Sequence, residues 1–184
     1  DAVQATTTAQ PKIVDAGSLV TGGIDFDGVD DWLQYNGSAF SDGNISVLSV
    51  AILNAPTTPN SSIVDASDNN VLGSVGFRLD NANSNARFGT GGDGFLTSAN
   101  TMTAQRLQTG INGAVNRSLF INNGEVSTDA NGGDISFSGI TQFKLGATSA
   151  AGSQATAVNY LDGAINEIII YNSDQSDNRT AFEA

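Results

Sequence analysis

The sequence predicts an all-β fold in which two antiparallel sheets pack as a sandwich, followed by one short C-terminal helix. The chain has 184 residues, enough for one domain with a sizeable core. Of its 19 acidic residues, 16 are aspartates, which favour turns, and only three are glutamates, which favour helices; 21 residues are glycine. Around a dozen short apolar or alternating runs are separated by turn residues, which is typical of a two-sheet sandwich.

The strands of the first half are predicted from β-branched or alternating runs. NISVLSVAILN at 44–54 is the longest apolar run, and it predicts a central buried strand. In DWLQYN at 31–36, Trp32 and Gln34 fall on one face of the strand and Leu33 and Tyr35 on the other. Six further runs of this half predict strands, at 11–14, 23–26, 61–66, 75–80, 86–90 and 94–98.

The second half repeats the pattern. Four runs predict strands, at 105–112, 117–126, 142–147 and 163–172. Asn123-Gly124 predicts a hairpin, because both residues accept a positive φ. The small polar residues 148–157 predict a loop. Ser173 or Asp174 is expected to cap the short helix of the tail at 173–184. We expect residues 1–10 to be an N-terminal arm or the end of a preceding domain, and residues 11–184 to form the sandwich.

Composition excludes several classes of function. Cysteine and histidine are both absent, so the chain has no thiol nucleophile, no disulfide, no Ser-His-Asp triad and no His or Cys zinc site. The net charge is -12, and the seven basic residues are scattered, which argues against binding to a phosphate backbone. No run approaches the ~20 apolar residues of a membrane helix. Neither nucleic acid nor membrane is an expected partner.

Three motifs, in order, resemble one family. IDFDGVDDWLQY resembles the entry signature of concanavalin A-like jelly rolls of the laminin G-like type, with Phe26-Asp27-Gly28 in the matching places. LDGAINEIIIYNSDQSDN resembles the closing signature of the same group, and RSLFINNGEV is similar to its Asn-Gly hairpin. The motifs lie in the expected order and bracket residues 24–178, which is most of the chain. The lead-in DAVQATTTAQPKIVDAG, together with the tail EIIIYNSDQSDNRTAFEA, most resembles the versions found in bacteriophage virion structural proteins. The resemblance implies a jelly-roll sandwich.

The glutamates argue against an enzyme. Glycosidases place two carboxylates on either side of the bond that they cleave. Jelly-roll glycosidases of the laminarinase type carry Glu-x-Asp-x-x-Glu on one strand, and this chain has no such run. Its glutamates, Glu125, Glu167 and Glu183, are isolated from one another. We therefore predict no catalytic residues.

The aspartates around residue 27 have two interpretations. Related jelly rolls often carry calcium, which binds six to eight hard oxygen ligands. Asp25, Asp27 and Asp162, with Asp30 or Asp31, are the candidate calcium ligands. The other interpretation is a tight turn in which Asp30 and Asp31 face solvent or accept hydrogen bonds from backbone donors. No cofactor is required in either case, and calcium is the one that would fit.

Trp32, Tyr35 and Tyr160 are the candidate glycan-binding aromatics, although single aromatic residues on strands more often contribute to packing. Arg78 and Arg87 lie in neighbouring predicted strands, and we expect them to form exposed pairs with aspartates.

Two functional hypotheses follow. The first is a non-enzymatic module on a virion surface, as a capsid decoration or a head- or tail-fibre component. Its partners would be other virion proteins in a multi-copy assembly, with weak adhesion to glycans of the host cell surface. The alternative is a secreted, extracellular carbohydrate-binding module of a bacterial polysaccharide-degrading enzyme.

Overall fold

The computed structural model describes residues 3–183 except 13, 16–17, 20–21, 38–39, 55–60, 68–76, 83–84, 91–93 and 151–152. The strands are β1 (Val14–Asp15), β2 (Ser18–Leu19), β3 (Ile24–Asp27), β4 (Leu33–Asn36), β5 (Ile45–Leu53), β6 (Ser61–Ala66), β7 (Phe77–Ala82), β8 (Asn85–Thr90), β9 (Phe95–Thr101), β10 (Arg106–Asn112), β11 (Arg117–Ile121), β12 (Gly124–Asp129), β13 (Gln142–Leu145), β14 (Thr148–Ala150), β15 (Ser153–Val158) and β16 (Asp162–Tyr171). A 3-10 helix spans Thr7–Ala9, and the α-helix α1 spans Arg179–Phe182.

The strands form two six-stranded antiparallel sheets. Sheet 1 has the order β12-β11-β10-β5-β16-β3, and sheet 2 has the order β4-β13-β6-β7-β8-β9. Two small sheets, β1-β2 and β14-β15, accompany them. The predicted two-sheet antiparallel sandwich with a short C-terminal helix is confirmed.

The core lies between the two sheets. In β5, Ile45, Val47, Ala51 and Leu53 are buried in the core, and Ser49 is the buried polar residue of the same alternating series. The opposing side chains come from sheet 2, and they are Ile63, Val64, Phe77, Leu79 and Phe88. Ser46 and Leu48 on the other face of β5 are buried as well, so the predicted central buried strand is confirmed.

The predicted hairpin is confirmed, with a shift of one residue. Asn122 and Asn123 have φ values of 48° and 69°, and Gly124 already begins β12. Asparagine tolerates the left-handed region because its short side chain bonds locally, so an Asn-Asn pair replaces the expected Asn-Gly pair at the turn.

Two expectations about local structure are wrong. Residues 148–157 are not a loop: β14 pairs with β15, and Ser149 N–H donates to the Asp65 carboxylate over 2.7 Å. That long-range bond is not visible in a run of small polar residues. The tail forms a helix only from Arg179, and Asp174 instead accepts a hydrogen bond from Ser176 N–H, so Asp174 does not cap the helix. The N-cap residue of α1 is Asn178, not Ser173.

Residues 3–12 lie against the sandwich rather than projecting from it. Val3 bridges to Gln34 in β4, and Lys12 bridges to Asp25 in β3. Between these bridges, Ala9 is buried and its carbonyl accepts a bond from Trp32 N–H. The segment thus runs from the edge of sheet 2 to the edge of sheet 1. The domain boundary at residue 10 stays a prediction. No helix in the described ranges has the length and apolarity to cross a membrane.

The C-terminal segment covers the middle of the outer face of sheet 1. Ser46 donates to Ser173 O and accepts from Gln175 N–H. Phe182 stacks on Tyr171 with ring centres 5.1 Å apart. These contacts position the segment that forms one wall of a cavity on this face.

Candidate functional site

The turn between β3 and β4 is built by its own aspartates. Asp27 Oδ1 accepts from Val29 N–H at 2.8 Å and from Asp30 N–H at 3.4 Å. Asp31 Oδ2 accepts from Asp27 N–H at 3.0 Å. Gly28 has a φ of 76°, a conformation that favours glycine. The interpretation of Asp31 as a partner of backbone donors is confirmed, but Asp31 is buried and does not face solvent.

Negative charge is concentrated in this turn. Carboxylate oxygens of Asp27, Asp30 and Asp31 lie within 4.8 Å of one another. Burial raises the pKa of Asp31, the hydrogen bond from Asp27 N–H acts in the opposite direction, and repulsion from Asp27, Asp30 and Asp25 raises it further. The fold therefore holds a buried carboxyl group among other carboxylates.

The donor atoms of the turn fit a hard cation in chemistry. All three groups are carboxylates, which suit Ca²⁺. Asp162 lies opposite Asp27 in the pairing of β16 with β3, and a Cβ on Gly28 would lie 2.7 Å from its Cβ. Of the predicted ligands, Asp27 thus belongs to the group of three, while Asp25 and Asp162 flank it. Asp27, Asp30 and Asp31 are the residues that would hold calcium.

The three candidate aromatics lie in different surroundings. Trp32 lies on the outer side of sheet 2, where its ring centre is 5.5 Å from Lys144 Nζ. Tyr160 lies close enough to Asp30 for that carboxylate to raise its pKa, although burial is the larger cause. Tyr35 points to the other side of its strand and stacks on Phe143 with ring centres 5.0 Å apart. Trp32 and Tyr35 therefore cannot form one binding platform.

A network of buried charges lies beneath β14 and β15 on the outer face of sheet 2. Asp65 accepts from Arg78 Nε at 2.9 Å and from Ser67 Oγ at 2.6 Å, in addition to Ser149 N–H. Lys144 Nζ donates to Ser149 Oγ at 3.1 Å and to Gln154 O. Burial lowers the pKa of Lys144 from 10.5 to about 8, and the negative charge of Asp65 acts against this.

The arginine pairs are not exposed as expected: Arg78 is buried, and Arg87 is partly buried against a fully buried aspartate. Arg78 is 1% exposed and pairs with Asp65 rather than with Asp80. Arg87 makes two bonds of 2.7 Å to Asp80, whose side chain is fully buried. Alternation along β7 could have placed Arg78 and Asp80 on one face, but no sequence signal indicated that this face is covered.

The described glutamates do not form a catalytic pair. Glu125 and Glu167 are exposed. Glu183 lines the same small cavity as Glu167, of about 160 Å³, but its side chain is fully buried. One oxygen of Glu183 accepts from Thr109 Oγ1 at 2.6 Å and the other from Arg179. With both oxygens occupied and no exposed surface, Glu183 cannot transfer a proton to a glycan.

No protein-family model matches the chain, and no curated protein matches it. Among solved structures, domain 4 of AbnA, a GH43 extracellular arabinanase from Geobacillus stearothermophilus, in complex with arabinotriose, is similar with a TM-score of 0.63 and 12% identity. That match covers 95% of this chain and 80% of that domain. The CBM40 of the Ruminococcus gnavus IT-sialidase has a TM-score of 0.57 and 15% identity, over 80% of this chain and 95% of that one.

Two further structures show the same architecture. The SAP-like pentraxin of Limulus polyphemus is similar with a TM-score of 0.60 and 10% identity, over 85% of this chain and 78% of that one. In the NanB sialidase of Streptococcus pneumoniae, the chain spans only 27% of the protein that it matches. At these identities the likeness shows the fold, a jelly-roll β-sandwich.

Proposed function

We propose that this chain is a non-catalytic glycan-binding module, and that it acts outside the cell as part of a bacterial polysaccharide-degrading protein. The observation that carries the proposal is a likeness that runs domain for domain. It covers 95% of this chain and 80% of an arabinanase domain in complex with arabinotriose. The similar CBM40 is described as bound to alpha2,3 sialyllactose. In these two similar structures, a module of this shape is the part that is bound to a sugar.

The chemistry of the described carboxylates supports a binding role over a catalytic one. Asp65, Asp80 and Glu183 each have a fully buried side chain paired with an arginine. Carboxylates that are buried and paired in this way have no access to a substrate. What the surface offers instead is exposed aspartate, asparagine and serine, whose oxygens and amides match the hydroxyls of sugars.

Binding and hydrolysis are separable by experiment. The purified chain is titrated by calorimetry with neutral and sialylated oligosaccharides, and the same sugars are assayed for newly released reducing ends. We expect saturable binding to at least one class at or below about 1 mM, which is about -4 kcal/mol, and no release. Release of product, or no binding to any sugar at that concentration, would overturn the proposal.

The virion role predicted from the sequence rests on the resemblance of the lead-in and the tail to virion versions of this fold. It is a separate proposal, which the similar structures named above do not support. Both roles use weak contacts, which many copies on one particle or two modules on one enzyme would strengthen by multivalency. The full-length gene and its neighbours distinguish the two roles. A glycosidase domain on the same polypeptide supports the secreted module, and neighbouring capsid genes support the virion role.

A further inference from the structure

A cavity of about 270 Å³ lies on the outer face of sheet 1, beside the turn that joins β10 to β11. We name it the loop-113 cavity; its wall includes Val115, Asn116, Ser118, Phe120, Asp174 and Ser176. We infer that this cavity binds one ring of a neutral sugar. The inference rests on the proposed function and adds both a location and a class of glycan.

The turn at 113–116 is held rigidly by backbone bonds. Gly113 N–H donates to Asn116 O at 2.9 Å, which closes the turn. Gly132 N–H donates to Val115 O at 2.9 Å, and Gly133 N–H donates to Gly113 O at 2.8 Å, so a second segment supports the turn from behind. A wall that is fixed before the ligand arrives loses little entropy on binding.

Asp174 is aimed at this turn from the C-terminal segment. Its Oδ1 accepts from Ser176 N–H at 2.9 Å, which fixes the carboxylate. Its Oδ2 lies so close to Gly113 that a Cβ at that position would collide with it. Within the described contacts Oδ2 accepts no hydrogen bond, so it is available to a hydroxyl donor.

The lining combines hydrogen-bonding groups with apolar surface. Asn116 and Ser176 are exposed and supply an amide and a hydroxyl beside the Asp174 carboxylate. Val115, which is 68% exposed, supplies carbon surface, and Phe120, which is 9% exposed, lies at the base of the wall. Binding pockets typically combine apolar walls with a few placed polar groups. A sugar ring, which carries hydroxyls around its rim and C–H groups on its faces, matches both kinds of surface.

The size of the cavity suits a single ring. Its volume of about 270 Å³ lies just below the roughly 300–1,000 Å³ of pockets that enclose a drug-sized ligand. An oligosaccharide would therefore place one ring in the cavity and extend the others over the open surface.

Charge selects a neutral sugar. The carboxylate of an acidic sugar needs an available guanidinium or ammonium group. Four of the five arginines are already in ion pairs, and these pairs are Arg78–Asp65, Arg87–Asp80, Arg117–Asp129 and Arg179–Glu183. Lys144 is fully buried in the other sheet.

Arg106 and Lys12 are remote from the loop-113 cavity. Arg106 begins β10, whereas the turn follows its other end, about 20 Å away at about 3.3 Å per residue. Lys12 bridges to β3, which is three strands from β10 in sheet 1, or about 14 Å. Arg179, whose guanidinium lies 4.0 Å from the centre of the Phe120 ring, donates to Glu183 and to Asn123 O. Asp174 is the charged residue of the cavity lining itself, and it repels anions.

The test uses the whole chain and two defined probes, arabinotriose as the neutral sugar and alpha2,3 sialyllactose as the acidic one. Affinities are measured by calorimetry, and the site is mapped by amide chemical shifts. Asp174→Asn keeps the bond from Ser176 N–H but replaces one acceptor by a donor, and Asn116→Ala removes the amide. Asp177→Asn is the matched control, since Asp177 is exposed in the same segment and outside the cavity. Trp32→Ala tests the other candidate surface. Thermal unfolding verifies that each variant folds.

We expect arabinotriose to bind at least tenfold more tightly than sialyllactose and to shift the amides of 113–118 and 174–176. Asp174→Asn and Asn116→Ala should each weaken arabinotriose binding by about tenfold, because a hydrogen bond is lost, while the control Asp177→Asn keeps wild-type affinity. Loss of binding only in Trp32→Ala would overturn this site and leave the proposed function standing. Tighter binding of sialyllactose would overturn the neutral class. Binding of neither sugar would overturn the inference, whereas the proposed function is judged on the wider panel.

Discussion

Asp65 is the group on which the covered outer face of sheet 2 most depends. It is 0% exposed, and it accepts three bonds, from Ser67 Oγ at 2.6 Å, Ser149 N–H at 2.7 Å and Arg78 Nε at 2.9 Å. In Asp65→Asn, either orientation of the amide leaves at least one of these donors facing an N–H group. The arginine also remains buried without its carboxylate.

The expected loss of folding free energy is that of breaking a buried ion pair from one side, which costs about 3–5 kcal/mol. For a chain of this length, each kcal/mol corresponds to about 2–4 °C, so Asp65→Asn should lower Tm by about 6–20 °C. Because Ser149 N–H anchors β14 to Asp65, amide exchange should also accelerate in the hairpin formed by β14 and β15.

Circular dichroism on heating, supported by denaturant titration, measures the effect. Asp177→Asn, on the exposed surface, should change the free energy of unfolding by less than about 0.5 kcal/mol. The double variant Asp65→Leu with Arg78→Met should lose less stability than Asp65→Leu alone, since it leaves no unpaired charge. A loss below about 1 kcal/mol in Asp65→Asn would refute the reasoning.

Three further predictions concern other parts of the molecule. Burial lowers the pKa of Lys144 from 10.5 to about 8, so its protonated amine destabilises the folded state below pH 8 and this penalty disappears as the pH rises to 10.5. In denaturant titrations, the free energy of unfolding of the wild type should therefore rise relative to that of Lys144→Met between pH 8 and pH 10.5. If the two proteins showed the same dependence of this free energy on pH, the buried amine would be contradicted. Calcium at 100 times its Kd should stabilise the wild type by about 2.7 kcal/mol, or about 5–11 °C in Tm, and Asp30→Asn should remove most of that shift; an equal shift in the variant would exclude Asp30 as a ligand. A Cβ at Gly110 would overlap the Phe88 ring, so Gly110→Ala should cost about 1–3 kcal/mol by overpacking, measured as Tm against the silent control Asp177→Asn.

The architecture was predictable because its signal is local and repeated. The continuous apolar run of β5 and the turn residues between runs are properties of neighbouring residues along the chain. The acidic turn was predictable for a similar reason, since Asp27 and Asp31 bond to backbone groups within four residues of their own position. The hairpin position differs by one residue because asparagine and glycine both accept a positive φ.

What the sequence by itself determined is the set of strands, the antiparallel sandwich, and the absence of histidine and cysteine chemistry, because these follow from neighbours along the chain and from composition. Only the tertiary structure decided which polar groups are buried together. Asp65 meets Ser149 across 84 positions of the chain, and Thr109 meets Glu183 across 74. The loop-113 cavity likewise exists only because the segment at 172–179 folds back over sheet 1. Such contacts are set by the packing of one element on another, and no local pattern encodes which two distant segments will meet.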